Sequence, residues 1–204
     1  MTRFFLLLAV ALLLPFHGNP SPAAGQPPAT TADLPAFTDD GRLIFPANYR
    51  EWVYLTSGLD MSYAPRFNSM STGHSTFDNV FVSPSAYKAF LQTGTWPDKT
   101  MLVLEERGAG SNASINKSGH FQTTELMGME VHLRDQRLPG KWAFYGFDDP
   151  SKPTKPFPHE MDCYSCHEQH GAVDTTFVQF YPTLIKLAEQ KGTLSSGFKA
   201  DVKK

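Results

Sequence analysis

The chain has 204 residues, 41% of them hydrophobic and 19% charged, enough for one domain with a real core. Its formal net charge of −2 excludes the strongly basic surface that binds nucleic acid. Aromatic residues at 13% point to a packed interior with flat surfaces.

The first residues are set apart from that domain. Arg3 precedes the apolar run "FFLLLAVALLLPF" at residues 4–16, and the small residues Ser21, Ala23, Ala24 and Gly25 follow. This is the three-part plan of a secretory signal peptide, so residues 1–25 are expected to be removed on export to the periplasm. The run is short for the ~30 Å of hydrocarbon in a bilayer, and Pro15 interrupts it. No second apolar segment of spanning length occurs, so no stable membrane span is expected after cleavage. Residues 26–36, rich in Pro and Thr, are expected as a disordered lead-in.

The folded part is expected over residues 37–192. Leu43, Ile44 and Phe45 suggest a short strand stopped by Pro46, and residues 49–55 a helical turn passing into the β-prone "WVYL". Residues 56–75 are rich in Gly, Ser, Pro, Asn and Met and predict a long loop. "FDNVFV" at 77–82 predicts a strand. "SPSAYKAFLQTG" predicts a helix with Ser83 as its cap, Pro84 at its first position and Gly94 at its end. Ala86, Tyr87, Phe90 and Leu91 recur at helical spacing and give it one buried face. "TMLVLE" at 100–105 predicts the next strand, and "ERGAGSNASINKSGH" a polar excursion. "MGMEVHLRD" and "KWAFYGF" predict two strands joined by "QRLPG", the second buried on both faces. The proline-rich "DDPSKPTKPFPHE" excludes regular structure. "TTFVQFYPTLIKLAEQKG" predicts a last helical element closed by Gly192, with residues 193–204 a flexible tail. The fold class is therefore mainly β (α+β): an antiparallel sheet, a few flanking helices and a C-terminal helical segment.

The segment "EMDCYSCHEQHGAVD" contains both cysteines. A redox disulfide would need a strand feeding a helix, whereas this pair follows a proline-rich loop. Zinc could take His159, Cys163, Cys166 and His170, but such a cluster usually needs a second knuckle, and no further cysteine exists. Cys163, Cys166 and His167 form the Cys-x-x-Cys-His pattern for covalent c-type haem. On one helical turn two thiols reach two vinyl groups while the adjacent histidine offers its ring to iron. One haem c, with His167 as the metal ligand, is the reading that uses all three residues. The remaining axial position could be filled by a methionine or histidine, or left open; Met61, Met70, Met101, Met127, Met129 and Met161 are available.

Four segments, "LIFPANYREWVYL", "NVFVSPSAYKAFLQTGTWPDKTMLVLE", "GKWAFYGF" and "CYSCHEQHGAVDTTFVQFYPTL", together resemble the cytochrome P-460 family over residues 43–187. The resemblance implies a mostly β domain with one c-type haem and His167 as proximal ligand. Members of that family either oxidise hydroxylamine or bind nitric oxide and related small ligands. The enzymes carry a lysine bonded to the haem macrocycle, and Leu104 stands in its place; Lys99 lies in the preceding turn. An arginine of some members falls on Asp78, and an acidic residue that handles protons on Glu130. Phe77 is expected as an apolar cap over iron, as in members without the lysine bond. His132 and His170 are expected at the surface or in hydrogen bonds.

The resulting expectation is an exported haem protein that binds a small ligand such as nitric oxide. It would pass electrons to a periplasmic partner and could pair as a homodimer. The alternative is a redox enzyme oxidising hydroxylamine, with Glu130 as its acid–base residue.

Overall fold

The computed structural model describes residues 33–61 and 75–203. The expected signal peptide and most of the expected lead-in lie outside them. Among the described residues, seven strands and four α-helices follow in chain order. Strands β1 (Ala36–Phe37) and β2 (Leu43–Ile44) pair antiparallel. A 3₁₀ turn at Tyr49–Glu51 leads into β3 (Val53–Leu59), the expected passage from helical turn to strand. Then come β4 (Thr76–Val82), α1 (Pro84–Thr93), β5 (Met101–Gly110), β6 (Phe121–Arg134) and β7 (Trp142–Gly146). The last part holds α2 (Asp162–His170), α3 (Ile185–Lys191) and α4 (Ser196–Asp201). β3 to β7 form one antiparallel sheet in sequence order. The architecture is the antiparallel α+β arrangement that the strand pattern indicates.

Strand alternation divides this sheet into two faces. Met101, Val103, Met129, Val131, Leu133, Ala143, Tyr145 and Phe147 point to one side, where they meet Leu43, Phe45, Tyr49 and Trp52 from the N-terminal segment. Leu102, Val82 and Trp142 point to the other, against α1, Trp96 and the C-terminal segment around Val173, Val178 and Leu184. β7 is buried on both faces for this reason. The aromatic core packs edge-on: the Phe45 and Phe147 ring centroids lie 5.1 Å apart and those of Tyr49 and Phe81 5.5 Å apart. Glu105 is wholly buried on the first face, where Tyr49, Arg50 and Arg107 bind its carboxylate.

Several boundaries differ from expectation. β3 takes in residues 56–59, which composition assigned to a loop. The polar excursion is largely strand: β5 runs on to Gly110 and β6 starts at Phe121, with Ala109 opposite Gln122 and Gly110 opposite Phe121. Backbone pairing carries this hairpin beyond the core, so its side chains show no apolar alternation. In α1, Pro84 and the left-handed Gly94 (φ 74°) stand where expected, but the Ser83 hydroxyl makes no cap hydrogen bond. Ala89 joins Ala86 and Phe90 on its buried face, while Leu91 is exposed. The last helical element is a 3₁₀ turn at Val178–Phe180 followed by α3. Residues 193–204, expected as a flexible tail, hold α4, which packs on α2 with His170 Nδ1 bonded to Asp201. Among the described residues no helix is long and apolar enough to cross a membrane.

Candidate functional site

Helix α2 presents the motif. Asp162 lies in its first turn and His167 and His170 in its last, charges or dipoles placed to suit the helix ends. Tyr164, inside the motif, fixes α2 to β7: its hydroxyl donates to the Phe157 carbonyl at 3.0 Å and accepts the Phe144 N–H at 3.3 Å. Its ring meets Phe144 edge-on at 4.9 Å. Cys163 and Cys166 are half-buried free thiols three positions apart on this helix. Burial pushes both thiols above their ordinary values, so they stand protonated.

His167 is held from behind. Its Nδ1 donates to the carbonyl oxygen of Thr175 at 2.8 Å, which assigns the proton to Nδ1 and leaves the Nε2 lone pair free. Burial lowers the His167 pKa, opposed by that backbone bond, and both the neutral form and this tautomer suit a metal ligand. The supporting turn is itself pinned. Asp174 adopts a left-handed backbone (φ 54°), and its carboxylate accepts from Arg134 at 2.7 Å. The Trp96 indole N–H donates to Thr176 Oγ1 at 2.8 Å, and Thr176 Oγ1 donates to the Val173 carbonyl at 2.7 Å.

Beside His167 is a cavity of about 310 Å³, within the usual range for a small-molecule or cofactor site. Its walls are the second face of the sheet and the C-terminal segment. Val80, Leu102, Leu104 and Phe144 supply apolar wall; Phe177, Phe180 and Tyr181 line it from the C-terminal side. His132 is buried, stacked on Phe144 at 3.9 Å, and within 3.3 Å of Thr175 Oγ1 through Nε2. Burial, with His167 nearby, holds its pKa well below the ordinary value. Glu130, Glu106 and Asp78 bring three carboxyls to the same cavity. Burial raises all three: Glu130 with help from Glu106, and Asp78, with help from Glu106, Asp60 and Glu130, to about 6.

Residues 46–178 match the protein-family model for cytochrome P-460. The chain belongs to the cytochrome P-460 family. Comparison with curated proteins finds no match.

Family membership implies a haem cofactor, and the chemistry of the site fits one. An apolar-walled cavity borders a neutral imidazole of fixed tautomer, and two unpaired thiols stand on the same helix. Cys163, Cys166 and His167 would hold the group there. The zinc ligand set is not gathered: His159 lies against Tyr164, with ring centroids 4.4 Å apart, and His170 is bound to Asp201. Among the described residues no group of three or more His, Cys, Asp or Glu side chains could hold a metal ion.

Leu104 and Glu130, placed together by the family resemblance, are direct partners across β5 and β6, and both line the cavity. Phe77 is corrected. It neighbours Asp78 on β4, and since Asp78 faces the cavity, the pleat sends Phe77 to the opposite side, where its register partner on β5 is Arg107. The aromatic lining of the cavity comes instead from Phe144, Phe177, Phe180 and Tyr181, of which Phe144 and Phe177 pack against the His167 ring. Sequence reasoning missed the Thr175 carbonyl, the anchoring role of Tyr164, and the meeting of Asp78 with Glu106. Tyr164 carried one signal: it lies three residues before His167, on the same face of the motif helix.

Proposed function

We propose that the chain is an exported c-type haem protein, in which Cys163 and Cys166 would hold one haem through thioethers and His167 Nε2 would ligate its iron. In each thioether the thiol adds across a vinyl double bond, sulfur to one carbon and hydrogen to the other, with no external oxidant. When bound, the haem supplies an iron that accepts a small ligand and exchanges one electron. The cavity would admit nitric oxide or a ligand of similar size, and electrons would pass to a periplasmic partner. The signal-like residues 1–25 support export, since thioether attachment to haem is made outside the cytoplasm.

The observation that carries the reading is the bond from His167 Nδ1 to the Thr175 carbonyl, because it turns a half-buried histidine into an oriented, neutral donor facing a cavity. Leu104, Val80 and Leu102 exclude water from the wall, favouring neutral diatomics. Leu104 also stands where the hydroxylamine-oxidising members bear their lysine, which supports binding over turnover. Oxidation of hydroxylamine is the second reading, favoured by Glu130, a half-buried carboxyl held above its ordinary pKa where it can take up a proton.

The test is expression with intact haem-attachment machinery, then acid–acetone extraction and a pyridine haemochrome spectrum. Colour that stays with the chain and shows a c-type band supports the reading; a colourless protein overturns it. Nitrosyl formation without steady hydroxylamine consumption is expected. Brisk turnover with an added oxidant would put the enzyme reading first.

A further inference from the structure

Asp78 on β4 and Glu106 on β5 are register partners across the sheet, and both side chains line the cavity. Like charges directly opposite each other destabilise a strand pair, so this pairing costs stability wherever both are ionised. Glu130, one strand further on, completes an acidic wall. Among the described residues, the charged groups that act on Asp78 are Glu106, Asp60 and Glu130, all acids. Just after β3, the Asp60 carboxylate accepts from the Thr76 N–H and the Ser75 hydroxyl. Beside Glu130, β7 brings Gly146, without charge, and α2 brings Cys163, uncharged as a thiol and as a thioether. Among the described residues, Arg50 and Arg107 are spent elsewhere: they bind Glu105 on the other face at 2.9 and 3.0 Å.

The approach is acidic as well. A second cavity of about 180 Å³ shares Glu106 and Glu130 with the first and has the exposed Asp148 in its wall. Gly128, the register partner of Glu106, leaves the room that the Glu106 carboxylate occupies; a methyl group there would run into it.

We propose that Asp78 and Glu106 are specificity-determining residues of the site, turning anionic ligands away and admitting neutral or cationic nitrogen ligands of the same size. The proposal rests on the haem-bearing reading above and deepens it by naming the charge class of the ligand. Two ionised carboxylates in a half-buried wall repel an incoming anion with little screening. Protonation relaxes that repulsion, and Asp78 reaches half-protonation at about pH 6.

The experiment uses ferric holoprotein already shown to carry thioether-bound haem. Azide, an anion across the range, and nitric oxide are titrated at about pH 8 and about pH 5.5, on either side of the Asp78 midpoint. Native azide affinity is expected to rise about tenfold at the lower pH. At the higher pH, Asp78→Asn and Glu106→Gln each raise the ratio of azide to nitric oxide affinity about tenfold and flatten the pH profile. A flat native profile, with both variants moving the ratio less than about twofold, overturns the proposal while leaving the haem reading intact. Protein without thioether haem overturns both, and the haemochrome spectrum detects that before any ligand is added.

Discussion

His167 and Thr175 are joined side chain to backbone, Nδ1 donating to a carbonyl 2.8 Å away. A carbonyl cannot be replaced by mutation, but its position depends on Asp174, whose carboxylate holds Arg134. Asp174→Asn keeps a residue that tolerates the left-handed backbone and weakens the ion pair. Loss of about 1 kcal/mol of stability is expected. In the reduced holoprotein the iron–histidine stretching band should move to lower frequency and the midpoint potential should rise, as the imidazole becomes a poorer donor. Resonance Raman spectroscopy and a redox titration check both.

Tyr164 makes two hydrogen bonds from inside the motif. Tyr164→Phe removes the acceptor of the Phe144 N–H and the donor to the Phe157 carbonyl. A buried amide left unpaired costs about 1–3 kcal/mol. A lower urea midpoint with an unchanged slope is expected. An unchanged midpoint would mean that α2 is not anchored through this hydroxyl.

The thiols separate into two single-link variants. Cys163→Ala and Cys166→Ala should each leave one thioether, so each pyridine haemochrome band should lie at longer wavelength than that of the native protein. Denaturing gels stained for haem should still show colour on the chain, at lower yield.

Asp78 gives a pH-dependent stability with a definite sign. Its folded pKa, about 6, is raised above the ordinary 3.8, so the folded state binds more protons than the unfolded state between those values. Stability therefore falls as pH rises through that window. Asp78→Asn should stabilise the holoprotein by about 1–2 kcal/mol near neutral pH, a figure reduced for partial exposure, and do little at about pH 4. Denaturant unfolding at the two pH values measures it.

Leu104 faces Glu130 across the strand pair, so a lysine at 104 would meet a carboxylate partner. Leu104→Lys should fold, and after oxidant treatment its Soret band should shift as the amine bonds to the macrocycle. A band that stays in place would show that residue 104 does not occupy the position of the family's lysine.

Legibility followed the physics of each element. β4, β7 and α1 were readable because alternation, helical spacing, Pro84 and Gly94 are local signals. The outer halves of β5 and β6 were not, since Gly, Ser and Thr there leave no apolar face to read. Cys163, Cys166 and His167 were legible as a motif; the Thr175 carbonyl was not, because any residue supplies a carbonyl and only the fold of the turn aims it. Asp78 and Glu106 meet through register across two strands separated by α1, which sequence does not disclose. Phe77 was within reach: neighbours on a strand cannot both face one cavity, and Asp78 took that side.

The two adjoining acids of β5 thus live in different worlds, Glu105 wholly buried and clasped by arginines on one side of the pleat and Glu106 in the cavity wall on the other, with no ion-pair partner among the described residues. Inserting or deleting one residue in this strand would exchange them. The chamber would then inherit Glu105 in place of Glu106, while its counter-ions stayed behind the sheet or followed it through. Parity along one ribbon of backbone, as much as the identity of any side chain, writes the electrical character of the chamber.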